Sequence, residues 1–204
     1  MRQIIATMAA IALLGLLGGA AFVYTGVYDV GADEKHWGIT YRLIEKVRMQ
    51  SIRAHAADIH APGSLDDQDR VLAGAVHFAT HCAICHSAPG AEAEDLAKGM
   101  YPEPPALTDA ARDWKPRELF WIVKHGIKMS GMPSWADHGD DQLWNSVAFL
   151  KKLPTLTAED YNRLVAAAKA KGIGHQMNDM PMNGGDQGTK TTPNAGAEGL
   201  GHQH

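Results

Sequence analysis

The string Cys82-Ala83-Ile84-Cys85-His86 decides how the rest of the chain is read. Its two cysteines are the only ones among 204 residues, and a histidine follows the second at once. A spacing of three is close to one helical turn, so both sulfurs leave one side of a short helical segment with the imidazole beside them. Two thiols alone cannot complete a four-cysteine zinc or iron–sulfur site. A disulfide between them would close a loop too small to staple a fold. A redox dithiol would be expected in a βαβ setting, whereas the residues ahead of this string read as helix. Zinc held by both cysteines with His81 and His86 would leave the proline-rich loop downstream and Met132 without a purpose.

The reading that uses every residue of the string is c-type haem attachment. Cys82 and Cys85 would form thioethers with the two vinyl groups of one haem c, and His86 would be the proximal iron ligand.

Upstream, Ile4 to Tyr28 is an apolar run of 25 residues without a charge, enough to cross a hydrocarbon core of roughly 30 Å as a helix. Arg2 precedes it, and Asp29, Asp33 and Glu34 follow it. The charge bias predicts a single pass with the N-terminus in the cytoplasm and the rest on the periplasmic or extracytoplasmic side. A cleaved signal peptide, cut near Gly18-Gly19-Ala20 or Val30-Gly31-Ala32, would export the chain equally.

Between the apolar run and the motif, Trp37, Tyr41, Ile44, Val47, Ile52, His55 and Ile59 approximate one helical face, and Pro62-Gly63 ends it. Ser64 with Asp67 reads as a capping box opening a helix over 65–81. Downstream, 87–113 reads as loop, rich in glycine and proline. Helices are predicted from Pro116 to His125, with Gly126 as the stop, and from Asp140 to Lys152, ended by Pro154. A last one is capped by Thr157 and Asp160 and ends at Gly172. No strand pattern appears. The expected organisation is an anchor over 1–28, a juxtamembrane helical segment over 29–63, a haem domain with an extra C-terminal helix over 64–172, and a Met/His/Gly-rich tail over 173–204.

With these motifs in place, the stretch from about Ser64 to Pro154 resembles a class I c-type cytochrome. Gly74 and Phe78 match the small-and-aromatic pair such proteins pack against their C-terminal helix, and Val147 and Phe149 look like the reciprocal positions. Pro105-Ala106-Leu107 looks like the family's Pro-x-Leu loop, whose proline carbonyl accepts the hydrogen bond of the proximal imidazole. Gly131-Met132-Pro133, 46 residues beyond His86, looks like the loop that delivers the distal methionine. The resemblance implies an all-α fold wrapped around one covalent haem.

A thioether opposite histidine raises the reduction potential. Met132 and Met129 share one loop and the residues barely separate them; Pro133 and the resemblance favour Met132, leaving Met129 to pack against the macrocycle. Met100 is a weaker candidate. Histidine ligation by His77, His81 or His125 is the chemical alternative, with His77 and His125 expected on helix surfaces. Trp114, Trp121, Trp135 and Trp144 suffice to line a haem pocket, and Trp135 is singled out as a propionate or pocket neighbour.

The expected function is that of a single-electron carrier rather than an enzyme. It would link a dehydrogenase or quinol-oxidising complex to a terminal oxidase or reductase. A haem enzyme or sensor with an open distal site, or a copper-handling protein, are the alternatives. The tail residues His175, Met177, Met180, Met182, His202 and His204 have the donor chemistry of a copper site. A net charge of −4 and the absence of a basic stripe with interleaved aromatics give no reason to expect nucleic acid.

Overall fold

The computed structural model describes residues 1–173, all helix and loop with no strand among them. The tail residues named above lie outside the described residues. Helix α1, Arg2–Thr25, buries none of its side chains and is long and apolar enough to cross a membrane. A cluster of aromatic rings gathers where it ends. Tyr28 and Trp37 meet edge to face at 5.1 Å, and Phe22 lies 6.0 Å from each. Amphipathic rings of this kind favour the boundary between hydrocarbon and water. From there the Tyr28 hydroxyl bonds His36 Nδ1 at 2.7 Å, and the His36 amide donates to Tyr101 Oη at 3.1 Å. Those bonds tie the end of α1 to a loop of the main body.

Helix α2, Gly38–His55, is shorter at both ends than the predicted face, and it buries only Ile52. Helix α3, Gln68–His77, starts later than the predicted 65. Asp67, not Ser64, is the cap: its carboxylate accepts from the amides of Asp69 at 2.9 Å and Arg70 at 3.1 Å. Ser64 Oγ accepts instead from Arg70 Nε. Arg70 also reaches Asn145 Oδ1 and Asp141 Oδ1, both at 2.8 Å, tying the start of α3 to helix α8, Asp140–Lys152.

The centre of the molecule is the crossing of α3 on α8. Gly74 makes it this close: a Cβ there would stand 2.0 Å from the Asn145 carbonyl oxygen and 2.7 Å from Phe149 Cβ. The oxygen belongs to helical backbone and cannot turn aside. Gly74→Ala is therefore expected to destabilise by about 3 kcal/mol or more, the upper end of overpacking costs. Thermal unfolding of the matured protein should show a drop in Tm of more than about 10 °C. One turn on, Phe78 is 1% exposed and packs on Phe149 at 5.2 Å and Tyr161 at 6.0 Å. Tyr161 comes from helix α9, Ala158–Ala170, which opens with the reciprocal capping box of Thr157 and Asp160.

Beyond α3 the chain does not stay α-helical. Phe78–Cys82 is a π-helical turn, closed by the Ala83 amide on the Phe78 carbonyl, and helix α4, Ala83–His86, follows. The predicted loop over 87–113 holds two short helices, α5, Asp95–Lys98, and α6, Leu107–Ala110. Lys151 Nζ closes this region, donating to the carbonyls of Ala111 at 3.2 Å and Trp114 at 2.9 Å. Helix α7, Pro116–His125, packs on α8 through Phe120 and Trp144, stacked at 4.2 Å.

Candidate haem site

The π-helical turn and α4 place the two cysteines. The wide turn adds one residue to the helical count, so Cys82 and Cys85 lie on a segment turned away from the register of α3. Both are free thiols, half-buried. Burial, and secondarily the neighbouring Cys85, push the Cys82 thiol up to about 12. It is therefore neutral at physiological pH, unlike a metal-binding thiolate. His86, at the end of α4, donates from Nδ1 to the Pro105 carbonyl at 2.8 Å. That bond leaves Nε2 as the ring's free lone pair. Burial lowers the pKa of His86, and the bond to Pro105 partly opposes this. The imidazole is thus neutral, held in one tautomer, and available as a ligand.

The second half of the site comes from the loop after α7. Gly126 turns the chain at φ +64°, and a Cβ there would meet Pro133 backbone atoms at 2.6 Å and the Met132 carbonyl oxygen at 2.7 Å. The loop is then closed by the Ile127 amide on the Met132 carbonyl at 3.2 Å and the Met132 amide on Ser130 Oγ at 3.2 Å. Ser134 Oγ adds a bond to the Lys124 carbonyl at 2.7 Å. Met132 is half-buried and packs against the same core cluster as Cys82, Ala83, Leu107 and Trp135.

Met129 is 85% exposed, with φ +60°. Met100 lies against Gly131, where a Cβ would meet its Sδ at 2.7 Å.

The histidines also differ from expectation. His77 is not on the helix surface but fully buried, with its pKa lowered to about 3 by burial and then by His81 and His138. His81 turns toward His77, the ring centroids 4.8 Å apart. His125 is exposed at the end of α7, against Trp121 at 5.0 Å. The tryptophans divide between roles. Trp144 is core, Trp121 sits between His55 and His125, and Trp114 packs at the edge of the core. Trp135 lies 5.0 Å from both His81 and His138, and 5.7 Å from His77. His138 was missed in the sequence. His77 and His81 carried a signal, since a spacing of four puts two side chains on one helical face.

The donor set fits haem c: two free thiols close together on one short segment, an imidazole fixed by a carbonyl, and a thioether on a braced loop. Residues 69–150 match the family model described as cytochrome C oxidase, cbb3-type, subunit III. No curated protein and no solved structure matches the chain. The all-helical domain, its two-cysteine segment and the family match agree, and residues 69–150 are a class I-like cytochrome c domain of the cbb3 type, a haem c electron-transfer unit behind an N-terminal helix suited to membrane anchoring.

Proposed function

We propose that this protein is a membrane-anchored monohaem cytochrome that carries single electrons on the outer face of the cytoplasmic membrane. The observation that supports it most is the 2.8 Å bond from His86 Nδ1 to the Pro105 carbonyl, made at the end of the segment that bears Cys82 and Cys85. Bound haem c supplies a one-electron ferric/ferrous couple. Cys82 and Cys85 would hold it by thioethers, and His86 Nε2 and the Met132 thioether would be its iron ligands. Pro105 keeps the imidazole proton on Nδ1. Gly126, Ser130 and Pro133 brace the loop that presents Met132, so little in the protein has to move when charge changes.

With His86 and Met132 both serving as iron ligands, no ligand position would be left for a substrate, which favours a carrier over a haem enzyme or sensor. Arg2 ahead of α1 and Asp29, Asp33 and Glu34 after it favour an outward-facing domain. The family description names an oxidase subunit. On that ground the acceptor is a terminal oxidase or reductase, and the donor a membrane dehydrogenase or quinol-oxidising complex. The domain functions either as a carrier confined to the membrane plane or as a fixed subunit.

The test is an absorption spectrum of the matured, detergent-extracted protein in both redox states, with and without carbon monoxide. The expected result is low-spin haem throughout, one haem per chain by the pyridine haemochrome assay, and no carbon monoxide adduct at neutral pH. A high-spin ferric spectrum or rapid carbon monoxide binding would move the assignment to a haem enzyme or sensor.

A further inference from the structure

Three histidines from three different segments converge beside the haem-binding segment, and the electron-transfer reading uses none of them. His77 ends α3, His81 lies in the π-helical turn, and His138 ends the short 3₁₀ turn Ala136–His138. One ring nitrogen from each comes within 4.8 Å of the other two. The three ring centroids are 4.8, 5.0 and 5.2 Å apart. We propose that His77, His81 and His138 form a second metal site, taking one divalent transition-metal ion of the imidazole-preferring class, with Zn2+ as the representative ion.

The hydrogen bonds around His77 fix its orientation. Ser146 Oγ donates its own proton to the Gln142 carbonyl at 3.1 Å, so its bond with His77 Nδ1 at 2.9 Å has the imidazole as donor. His77 Nε2 is then a lone pair, facing His138 Nδ1 at 2.8 Å. A ligating histidine that gives its other N–H to a fixed acceptor is the usual arrangement around a bound metal. In the metal-free protein His138 donates across that gap. When an ion enters, it takes the place of the shared proton, which moves to His138 Nε2 with no net release.

Metal–nitrogen bonds of about 2.0–2.1 Å at tetrahedral angles require nitrogens roughly 3.3 Å apart. The 2.8 Å contact must open slightly and the longer ones close. His81 and His138 are half-buried, whereas His77 is fully buried and held by Ser146, so the adjustment falls on the first two. Three imidazoles leave the fourth position for water or a solvent anion. Trp135 covers one side of the trio and limits access.

The placement gives the ion a structural consequence. His81 adjoins Cys82, and His138 lies six residues beyond Met132. An ion shared by them clips the segment that carries the haem tether to the loop that carries the distal methionine. The site would couple metal availability to the stability of the loop that presents Met132.

The experiment is equilibrium dialysis of the full-length, matured holoprotein against buffered Zn2+, with zinc and iron counted per chain. Wild type should hold one more zinc per chain than His81→Gln or His138→Ala, so ions taken up elsewhere on the chain cancel in the comparison. His125→Ala should match wild type. Ser146→Ala, a change to a positioning residue, should weaken that zinc roughly 10–100-fold while leaving the haem spectrum unchanged. X-ray absorption at the zinc edge should report imidazole nitrogen at about 2.0–2.1 Å. Equal zinc in wild type and both ligand variants, or a sulfur shell around the zinc that they lose, would overturn the site. A zinc-free holoprotein with a normal low-spin spectrum would overturn it too, while leaving the electron-carrier reading intact.

Discussion

Maturation of the Cys82→Ala or Cys85→Ala chain is expected to yield little or no stable holoprotein. The reason lies in how the helices end. The core gathers on the crossing of α3 and α8, with α7 and α9 behind it. The segment from Ser87 to Asp113 brings little to that core: its buried residues are the small Pro89, Ala97 and Ala111. A chain with this much loop around one face needs a large apolar group to pack against, and a covalently held macrocycle meets that need. Losing one thioether removes half of the tether and leaves a single covalent bond and the iron ligands to hold the group. The measurement is haem per chain by pyridine haemochrome, with intact mass on the same preparation. Either substitution should bring covalent haem close to zero, or leave a small single-thioether fraction with shifted haemochrome bands. Ile84→Ala serves as the control. Ile84 lies between the two cysteines but is 55% exposed, so its loss should leave the haem content unchanged. Full haem incorporation into the Cys82→Ala chain would remove the basis of the assignment.

Much of this arrangement was legible in single residues. Pro116 at the start of α7, Gly126 after its end, Pro154 just after α8 and the Thr157–Asp160 pair at α9 each act locally, through a missing N–H, a positive φ or a capping bond. They give the same answer whatever packs nearby. What escaped depends on partners distant in sequence. Two acceptable caps, Ser64 and Asp67, compete for one helix start, and Arg70 settles the matter by bridging Ser64 to residues of α8. The π-helical turn leaves no mark in composition, since it only shifts a hydrogen bond by one residue. His77 reads as a polar surface position until Ser146, 69 residues away, supplies an acceptor that makes its burial tolerable. His138 could not be grouped with it from sequence, because only the turn of the distal loop brings the two together.

The same loop sets the second large effect. Met132→Ala is expected to abolish the methionine–iron charge-transfer band of the ferric protein, whereas Met129→Ala should leave it unchanged. The two residues are three apart, so chain reach does not separate them; the difference is in what holds each. Met132 has its amide on Ser130 Oγ, its carbonyl on the Ile127 amide, a proline after it, and a half-buried side chain against the core. Met129 is 85% exposed and sits at φ +60°, an uncommon conformation for a side chain of its size. For Met129 to serve as the ligand in place of Met132, the turn that Gly126 and Ser130 close would have to be rebuilt. Loss of the soft sulfur ligand should also lower the reduction potential by a sizeable part of the about 0.8 V that axial ligands command. Carbon monoxide should then bind readily to ferrous Met132→Ala, because one axial position is open. Met100→Ala completes the set, since its sulfur lies against Gly131 beside the same loop. If the band persists in Met132→Ala and disappears in Met129→Ala or Met100→Ala, the braced loop presents the wrong sulfur and the distal assignment moves to the residue whose loss removed it.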